Sequence, residues 1–213
     1  MAEKKRPRRT RERILETALA LFNLHGEPSV TTAHIADEMN ISPGNLYYHF
    51  RNKDEIIGEL YAGYEAEVAP LFAAPPDRAP DVEDLWLLLH LLFERMWAYR
   101  FLFRDLGEIA SRNRRVATRY AELARRGEST VIELCRGMVA ARAMHASERE
   151  IATLARNVVV VATYALAYQG IGAGAADAPP RLDHAAYQVL ALVAPYLAND
   201  GRALIERLGE QYL

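Results

Sequence analysis

The 213-residue sequence has almost no cysteine and no strong excess of charge of one sign. The single cysteine, Cys135, cannot form an intramolecular disulfide or a structural zinc cluster, so the chain suits a reducing cytoplasm. The first residues are charged with no apolar stretch behind them, so we expect no signal peptide. Hydrophobic residues make up 51% and charged residues 25%, a balance typical of a soluble globular protein with a real core.

The two longest apolar segments are too short or too interrupted to predict a membrane span. Residues 85–93 fall far below the roughly 20 residues that a bilayer needs. Residues 158–176 are longer, but they include Gln169 and three glycines, and Arg156 stands just ahead of them. We therefore predict a buried helix that runs into a glycine-rich loop.

The net charge of −2 conceals an uneven distribution. Residues 1–53 hold nine basic and six acidic side chains, a net +3, whereas the remaining 17 basic and 22 acidic side chains give −5. A basic end on an acidic body indicates that one end meets phosphate. A solvated basic tail is the alternative that charge alone leaves open.

Helical periodicity without sustained alternation predicts an all-α fold. The predicted helices cover residues 10–25, 31–39, 43–50, 54–72, 82–99, 101–111, 114–144, 148–168, 183–197 and 201–212. The sequence has no glycine-rich phosphate loop and no nucleophile elbow, and its histidines do not fall at metal-ligand spacings. We therefore expect no enzyme activity, no cofactor and no metal.

Helix-capping residues mark the boundaries of the first three helices. Thr10 is predicted to begin the first helix, and Gly26 to end it. Asn40 tolerates the left-handed conformation that a sharp exit from the second helix needs. Ser42 then caps the third helix, with Pro43 at its first position.

Two short helices joined by a tight turn behind a supporting helix have the spacing of a helix-turn-helix. Leu46 and Phe50 anchor one face of the third helix, which leaves Gly44 and Tyr48 nearly opposite. Asparagine pairs with base edges, and tyrosine offers a hydroxyl to phosphate and a ring to thymine methyl groups. The residues expected at the DNA interface are Thr32, Ser42, Pro43, Gly44, Asn45, Tyr47, Tyr48, His49 and Lys53.

Residues 30–54 resemble the DNA-binding signature of TetR-family transcriptional regulators. The most specific part is the run from Leu46 to Phe50, followed by Asn52 and Lys53. The resemblance covers about residues 10–60, and it departs from the family where Asn40 replaces a usual glycine and Ala33 a frequent basic residue. By similarity, the family's DNA-contact positions are Thr32, Asn45, Tyr47, Tyr48, His49 and Lys53.

The resemblance implies a ligand-responsive DNA-binding regulator that acts in the cytoplasm as a repressor and is released from DNA by its effector. An activator is the alternative that the sequence leaves open. Residues 1–53 would form the DNA-binding domain, with a basic arm at residues 1–9. Residues 54–213 would form a larger helical ligand-binding and dimerisation domain, connected through helix 54–72. Two recognition helices about 34–36 Å apart would bind a palindromic operator, which requires a homodimer.

The apolar helix 82–99 and its successor indicate either a core or an effector pocket. The resemblance favours a pocket, with His90, Glu94 and Arg104 as the polar groups that orient a ligand. Its apolar walls favour a small apolar or amphipathic effector. The candidate ligand-binding residues are Trp86, Leu89, His90, Phe93, Trp97, Phe103, Arg104, Tyr120, Met138, Tyr164 and Tyr168.

Small and branched residues dominate the two long helices near the C-terminus. Close helix approach is expected there, and by resemblance these helices form a four-helix bundle between two subunits. A rival interpretation is a helical enzyme or carrier that binds a small molecule and whose N-terminal helices are merely structural. Salt-dependent retention on duplex DNA, sensitive to Tyr48→Ala and Lys53→Ala, separates the two.

Overall fold

The computed structural model describes residues 5–73, 78–170 and 182–212, which form eleven α-helices and two short 3-10 helices and contain no strand. The α-helices are α1 Lys5–His25, α2 Thr32–Glu38, α3 Pro43–His49, α4 Lys53–Val68, α5 Val82–Ala98, α6 Arg100–Arg104, α7 Leu106–Arg112, α8 Arg114–Ala140, α9 Glu148–Gly170, α10 Leu182–Val193 and α11 Asn199–Tyr212. The 3-10 helices span Ala69–Phe72 and Ala194–Tyr196. The all-α prediction is confirmed. Parts of both predicted loops, residues 74–77 and 171–181, lie outside the described residues.

The chain divides into two compact units. The first comprises the residues up to Glu65 together with Tyr99–Thr118, and the second comprises Ala66–Ala98 and Arg119–Leu213. The boundary predicted after residue 53 therefore does not coincide with the division into units. Within the first unit, the rings of Phe22 and Phe101 lie 5.1 Å apart, and the Phe101 N–H donates to Asn23.

Helix α1 begins earlier than the sequence predicted. It starts at Lys5, so Thr10 lies inside the helix rather than at its N-cap, and residues 5–9 of the predicted basic arm are helical. Arginine and lysine are good helix formers, which lets the helix continue through the basic segment. Residues 1–4 of the predicted arm lie outside the described residues.

Two left-handed residues end the first two helices as predicted. Gly26 follows α1 with φ of 81°, and Asn40 follows α2 with φ of 57°. Asparagine is one of the few side chains that visit this conformation routinely, so it serves where the family more often has glycine.

The helix predicted over residues 101–111 is two helices. Asp105 separates α6 from α7, and its carboxylate accepts the backbone N–H of Glu27 at 3.2 Å. The two residues are 78 positions apart in the sequence, so no local sequence pattern could predict this contact. Helix α8 also ends earlier than predicted, at Ala140, and Arg142 follows with φ of 61°.

The second unit is built around α10, which packs against α5 and α9. Small side chains of α10, including Ala185, Ala186 and Val189, are buried within the chain against these helices. Cys135 of α8 is buried as well, and desolvation raises the pKa of its thiol to about 11.

One helix in the described part of the chain, α9, is long and apolar enough to cross a bilayer by length and composition. A core helix of a soluble protein passes the same test, so a single such helix is weak evidence. One side of α9 is buried, where Ile151, Leu154 and Val158 lie. The opposite side is exposed at Val160, Tyr164 and Tyr168, so the helix that was predicted to be buried from residue 158 onward is buried on one side only.

Candidate nucleic-acid interface

Side-chain caps fix the starts of the two short helices in the first unit. The Thr31 hydroxyl accepts the His34 N–H at 3.1 Å at the start of α2. The Ser42 hydroxyl accepts the Asn45 N–H at 3.2 Å at the start of α3, and Pro43 is the first residue of that helix. The predicted cap of α3 is confirmed, and α3 therefore starts at a defined point.

Helix α3 has one buried and one exposed face. Leu46 and Phe50 are buried and attach the helix to its own unit. Tyr47 is 51% exposed and Tyr48 80% exposed. Gly44 and Asn45 are exposed beside them, together with Ser42 and Pro43. The structure thus brings most of the predicted DNA-contact residues onto one outward surface.

Two contacts orient the exposed aromatic side chains. The hydroxyls of Tyr47 and Thr32 share a hydrogen bond of 3.0 Å, which ties α3 to the start of α2. The ring of Tyr48 meets His49 edge-on, with centroids 5.1 Å apart. Preorganised side chains lose less entropy when they bind a partner.

Lys53 is placed differently from the other predicted contacts. Its ammonium donates to the backbone carbonyls of Glu27 and Val30, each at 3.0 Å. It also lies 2.7 Å from a carboxylate oxygen of Glu27. The predicted phosphate contact of Lys53 stays a prediction. In the structure, the Lys53 ammonium points toward the protein interior.

Lys53 and Arg112 surround the buried carboxylate of Glu27, and we call these three residues the Glu27 cluster. The Glu27 side chain is 0% exposed, and Arg112 Nη2 lies 2.5 Å from Glu27 Oε1. Both cations form ion pairs with this carboxylate. Burial by itself would raise the pKa of Glu27, but Arg112 and Lys53 outweigh it, and the pKa lies below its ordinary value.

Arg11 reinforces the exposed helix from the α1 side. Its guanidinium lies 4.7 Å from the centroid of the Phe50 ring and pairs with Glu59 at 3.2 Å. The sequence indicated neither this role of Arg11 nor the roles of Glu27 and Arg112. Each depends on contacts between distant segments, and no spacing motif could have revealed them.

The predicted effector residues fall into several environments. In the second unit, Leu89, Phe93 and Met138 are buried, whereas Trp86, His90, Trp97 and Tyr120 are half-buried. The ring of Trp86 stacks on His90 with centroids 5.3 Å apart, and His90 lies 3.6 Å from Glu94.

Tyr120, Tyr164 and Tyr168 differ among themselves. The Tyr120 hydroxyl shares a 2.6 Å hydrogen bond with Thr163, and burial raises the pKa of this tyrosine. Tyr164 and Tyr168 instead lie on the outside of α9.

A polar groove of about 430 Å³ lies in the first unit. None of the predicted effector residues lines it.

Phe103 and Arg104 belong to the first unit. Phe103 packs edge-on against Tyr64, with ring centroids 5.3 Å apart. Arg104 donates to the backbone carbonyls of Phe22 and Asn23, at 3.0 and 2.9 Å. These carbonyls stand in the last turn of α1, where a cation also complements the helix dipole.

We expect Arg104→Met to lower the free energy of unfolding by about 1 kcal/mol, because two hydrogen bonds from a partly exposed guanidinium to the end of α1 are lost. Chemical denaturation at neutral pH measures the change. Arg142→Met, which alters an exposed arginine after α8, is the control and should leave stability nearly unchanged. Equal stability of Arg104→Met and the unmodified protein would contradict a capping role.

Two family models cover most of the chain. The model described as bacterial regulatory proteins of the tetR family matches residues 14–60, which contain the capped helices and the exposed tyrosines. A second TetR model, described as a bacterial transcriptional repressor, matches residues 63–205. The chain belongs to the TetR family. The resemblance predicted from residues 30–54 is therefore confirmed, and the family is one of transcriptional regulators.

Individual TetR-family relatives agree with this placement. The chain is 40% identical over 53 residues to the probable acrEF/envCD operon repressor of Escherichia coli K12, a match that covers 25% of this chain and 24% of that protein. It is 41% identical over 54 residues to the transcriptional repressor KstR2 of Mycobacterium tuberculosis, covering 25% and 27%. The chain thus spans about a quarter of the length of these curated relatives.

A solved TetR-family structure extends the comparison to nearly the whole chain. The regulator from Marinobacter aquaeolei VT8 superposes with a TM-score of 0.84 at 35% sequence identity, over 95% of this chain and 98% of that one. The fold described here, with its N-terminal helix-turn-helix and larger C-terminal helical part, is therefore that of a known TetR-family regulator.

Proposed function

We propose that this chain is a ligand-responsive transcriptional repressor that binds a palindromic operator as a homodimer in the cytoplasm. The exposed face of α3 carries the proposal, because a buried-core explanation leaves Tyr47 and Tyr48 turned outward without a reason. The repressor names of the two curated relatives support repression over activation.

On the DNA side, α3 would enter the major groove. Asn45 offers its amide to base edges, and Tyr48 offers a ring and a hydroxyl. Tyr47 and Thr32 already share a hydrogen bond, so their hydroxyls reach a phosphate as one rigid pair. Gly44 has no side chain and therefore allows the backbone of α3 to approach the DNA closely.

On the dimer side, α9 carries an exposed apolar face. Val160, Tyr164 and Tyr168 are spaced four residues apart and are 51%, 56% and 71% exposed. We call this set the α9 face. Exposed apolar surface of this kind supports contact with a second copy, and a two-fold interface would place the same patch of both copies together.

On the effector side, the second unit offers few charged groups among the predicted residues. Leu89, Phe93 and Met138 supply apolar surface, and His90 supplies a polar group beside Trp86. These residues support a small apolar or amphipathic effector. An effector that binds more tightly to the conformation unable to bind DNA would release the operator.

Selection of bound sequences from a random duplex pool tests the proposal. We expect one palindromic sequence to be enriched. Tyr48→Ala should weaken binding to that duplex about tenfold or more, because loss of a base contact costs about 1–3 kcal/mol. Its stability should not change, because the side chain is exposed.

Leu24→Ala is the matched control, since Leu24 is another exposed apolar side chain of the same unit, 61% exposed on α1. It should bind the selected duplex as the unmodified protein does. Absence of any enriched duplex, or indifference to Tyr48→Ala, would favour the small-molecule enzyme or carrier.

A further inference from the structure

The ammonium of Lys53 makes two hydrogen bonds and one ion pair within its own unit. An ammonium carries three N–H donors, and here three acceptors surround it. They are the carbonyls of Glu27 and Val30 at 3.0 Å and the Glu27 carboxylate at 2.7 Å. A phosphate would have to compete with the two carbonyls and the Glu27 carboxylate for this ammonium.

These three acceptors lie in the segment that leads into α2. Lys53 itself begins α4, four residues after α3 ends at His49. A single side chain therefore ties the segment before α2 to the segment after α3. The pair of helices that forms the DNA-binding surface is held at both of its ends.

Helix α7 contributes a third connection to the same point. Arg112 pairs with Glu27 at 2.5 Å and with Asp54 at 3.2 Å. The neighbouring Asn113 side chain donates to the backbone carbonyl of Asp54 at 3.0 Å. The fully buried Glu27 carboxylate thus lies where the α1–α2 loop, the start of α4 and the end of α7 meet.

We propose that Glu27 and Lys53 are positioning residues that set the orientation of α3, and that Lys53 does not contact DNA phosphate. This inference rests on the proposed DNA-binding function. According to this inference, Glu27 favours DNA binding through the orientation of α3, although its negative charge by itself would repel DNA.

The sign of the Glu27→Gln effect is the first test. If the charge of Glu27 acted only through the overall electrostatic field, its removal would strengthen binding to DNA. If Glu27 positions α3, the variant should bind the selected duplex about tenfold more weakly or worse, because a buried ion pair has been broken. Binding is measured at a temperature where far-ultraviolet circular dichroism shows each variant folded.

The salt dependence of Lys53 variants is the second test. Loss of a phosphate contact lowers the slope of log K against log salt concentration by about 0.9 for each contact. We expect Lys53→Met to weaken binding with that slope unchanged. Lys53→Arg should weaken binding too, because arginine is a good phosphate ligand but its planar group does not match three acceptors arranged around an ammonium.

The outcomes separate this inference from the proposed function. Failure of the unmodified protein to bind any duplex overturns the function. If that protein binds, then tighter binding by Glu27→Gln, a lower salt slope for Lys53→Met, or full activity of Lys53→Arg overturns the positioning role alone. Should Lys53→Met fail to fold, Glu27→Gln and Lys53→Arg still decide the matter.

Discussion

A protein carrying both Val160→Glu and Tyr164→Glu is expected to sediment as a monomer. It should also bind the selected duplex about a thousandfold more weakly or worse, approaching the non-specific level, because one recognition helix contacts only half of a palindrome. At a two-fold interface the new carboxylates would face the same patch of the other copy, where burial and like charge both oppose association. Analytical ultracentrifugation and duplex titration measure the two effects.

Leu87→Glu is the matched control for this experiment. Leu87 is 49% exposed on α5 of the same unit, so it accepts a glutamate equally well but lies off the α9 face. The control should remain dimeric. A monomeric Leu87→Glu protein, or a dimeric α9 double variant, would show that the subunits associate through another surface.

Replacing Glu27 with alanine should lower the free energy of unfolding by about 2 kcal/mol at pH 7, because it leaves two partly exposed cations without their counter-charge. Lys53 and Arg112 are only 26% and 30% exposed, so water cannot fully replace the lost carboxylate. Urea denaturation followed by circular dichroism measures the difference. Glu59→Ala, which removes a carboxylate that is 35% exposed and paired with Arg11, serves as the comparison and should cost much less.

The same Glu27→Ala difference should shrink in acid. The pKa of Glu27 is lowered in the folded protein, so its contribution is fully present above the pKa of the unfolded chain. The contribution is lost as the pH falls through the lower folded-state pKa. A difference in stability that stays constant from pH 7 to pH 3 would contradict a charged Glu27 in the cluster.

The helix ends could be predicted where a local signal sets them. Gly26 and Asn40 adopt left-handed conformations, and Ser42 caps α3 through its own side chain. The outward direction of Tyr47 and Tyr48 follows from the helical repeat once Leu46 is assigned to the core. These features depend on residues within one or two turns of each other.

Contacts between distant segments could not be predicted. Lys53 has the position of a phosphate contact in the sequence, but its partner Glu27 is 26 residues away. Arg104 was a candidate for binding a ligand, yet it caps α1 across about 80 residues. A basic side chain gives the same sequence signal in either role, and only tertiary structure distinguishes them.

The partners of the two exposed tyrosines of α9 could not be predicted from the sequence either. Tyr164 and Tyr168 were expected to line an effector pocket, and the structure places them on the outer surface of the helix. Periodicity places them on one side of α9. It does not reveal whether that side meets a cavity, another helix or a second subunit.

The burial of Cys135 has a practical use. Its thiol is inaccessible, and its raised pKa of about 11 leaves almost no thiolate at neutral pH, the form that reacts with maleimides. A cysteine introduced at exposed Leu24 or Leu87 should therefore take a fluorophore selectively in the native protein. Distance measurements between labelled subunits could then follow operator binding and effector release without removal of the natural thiol.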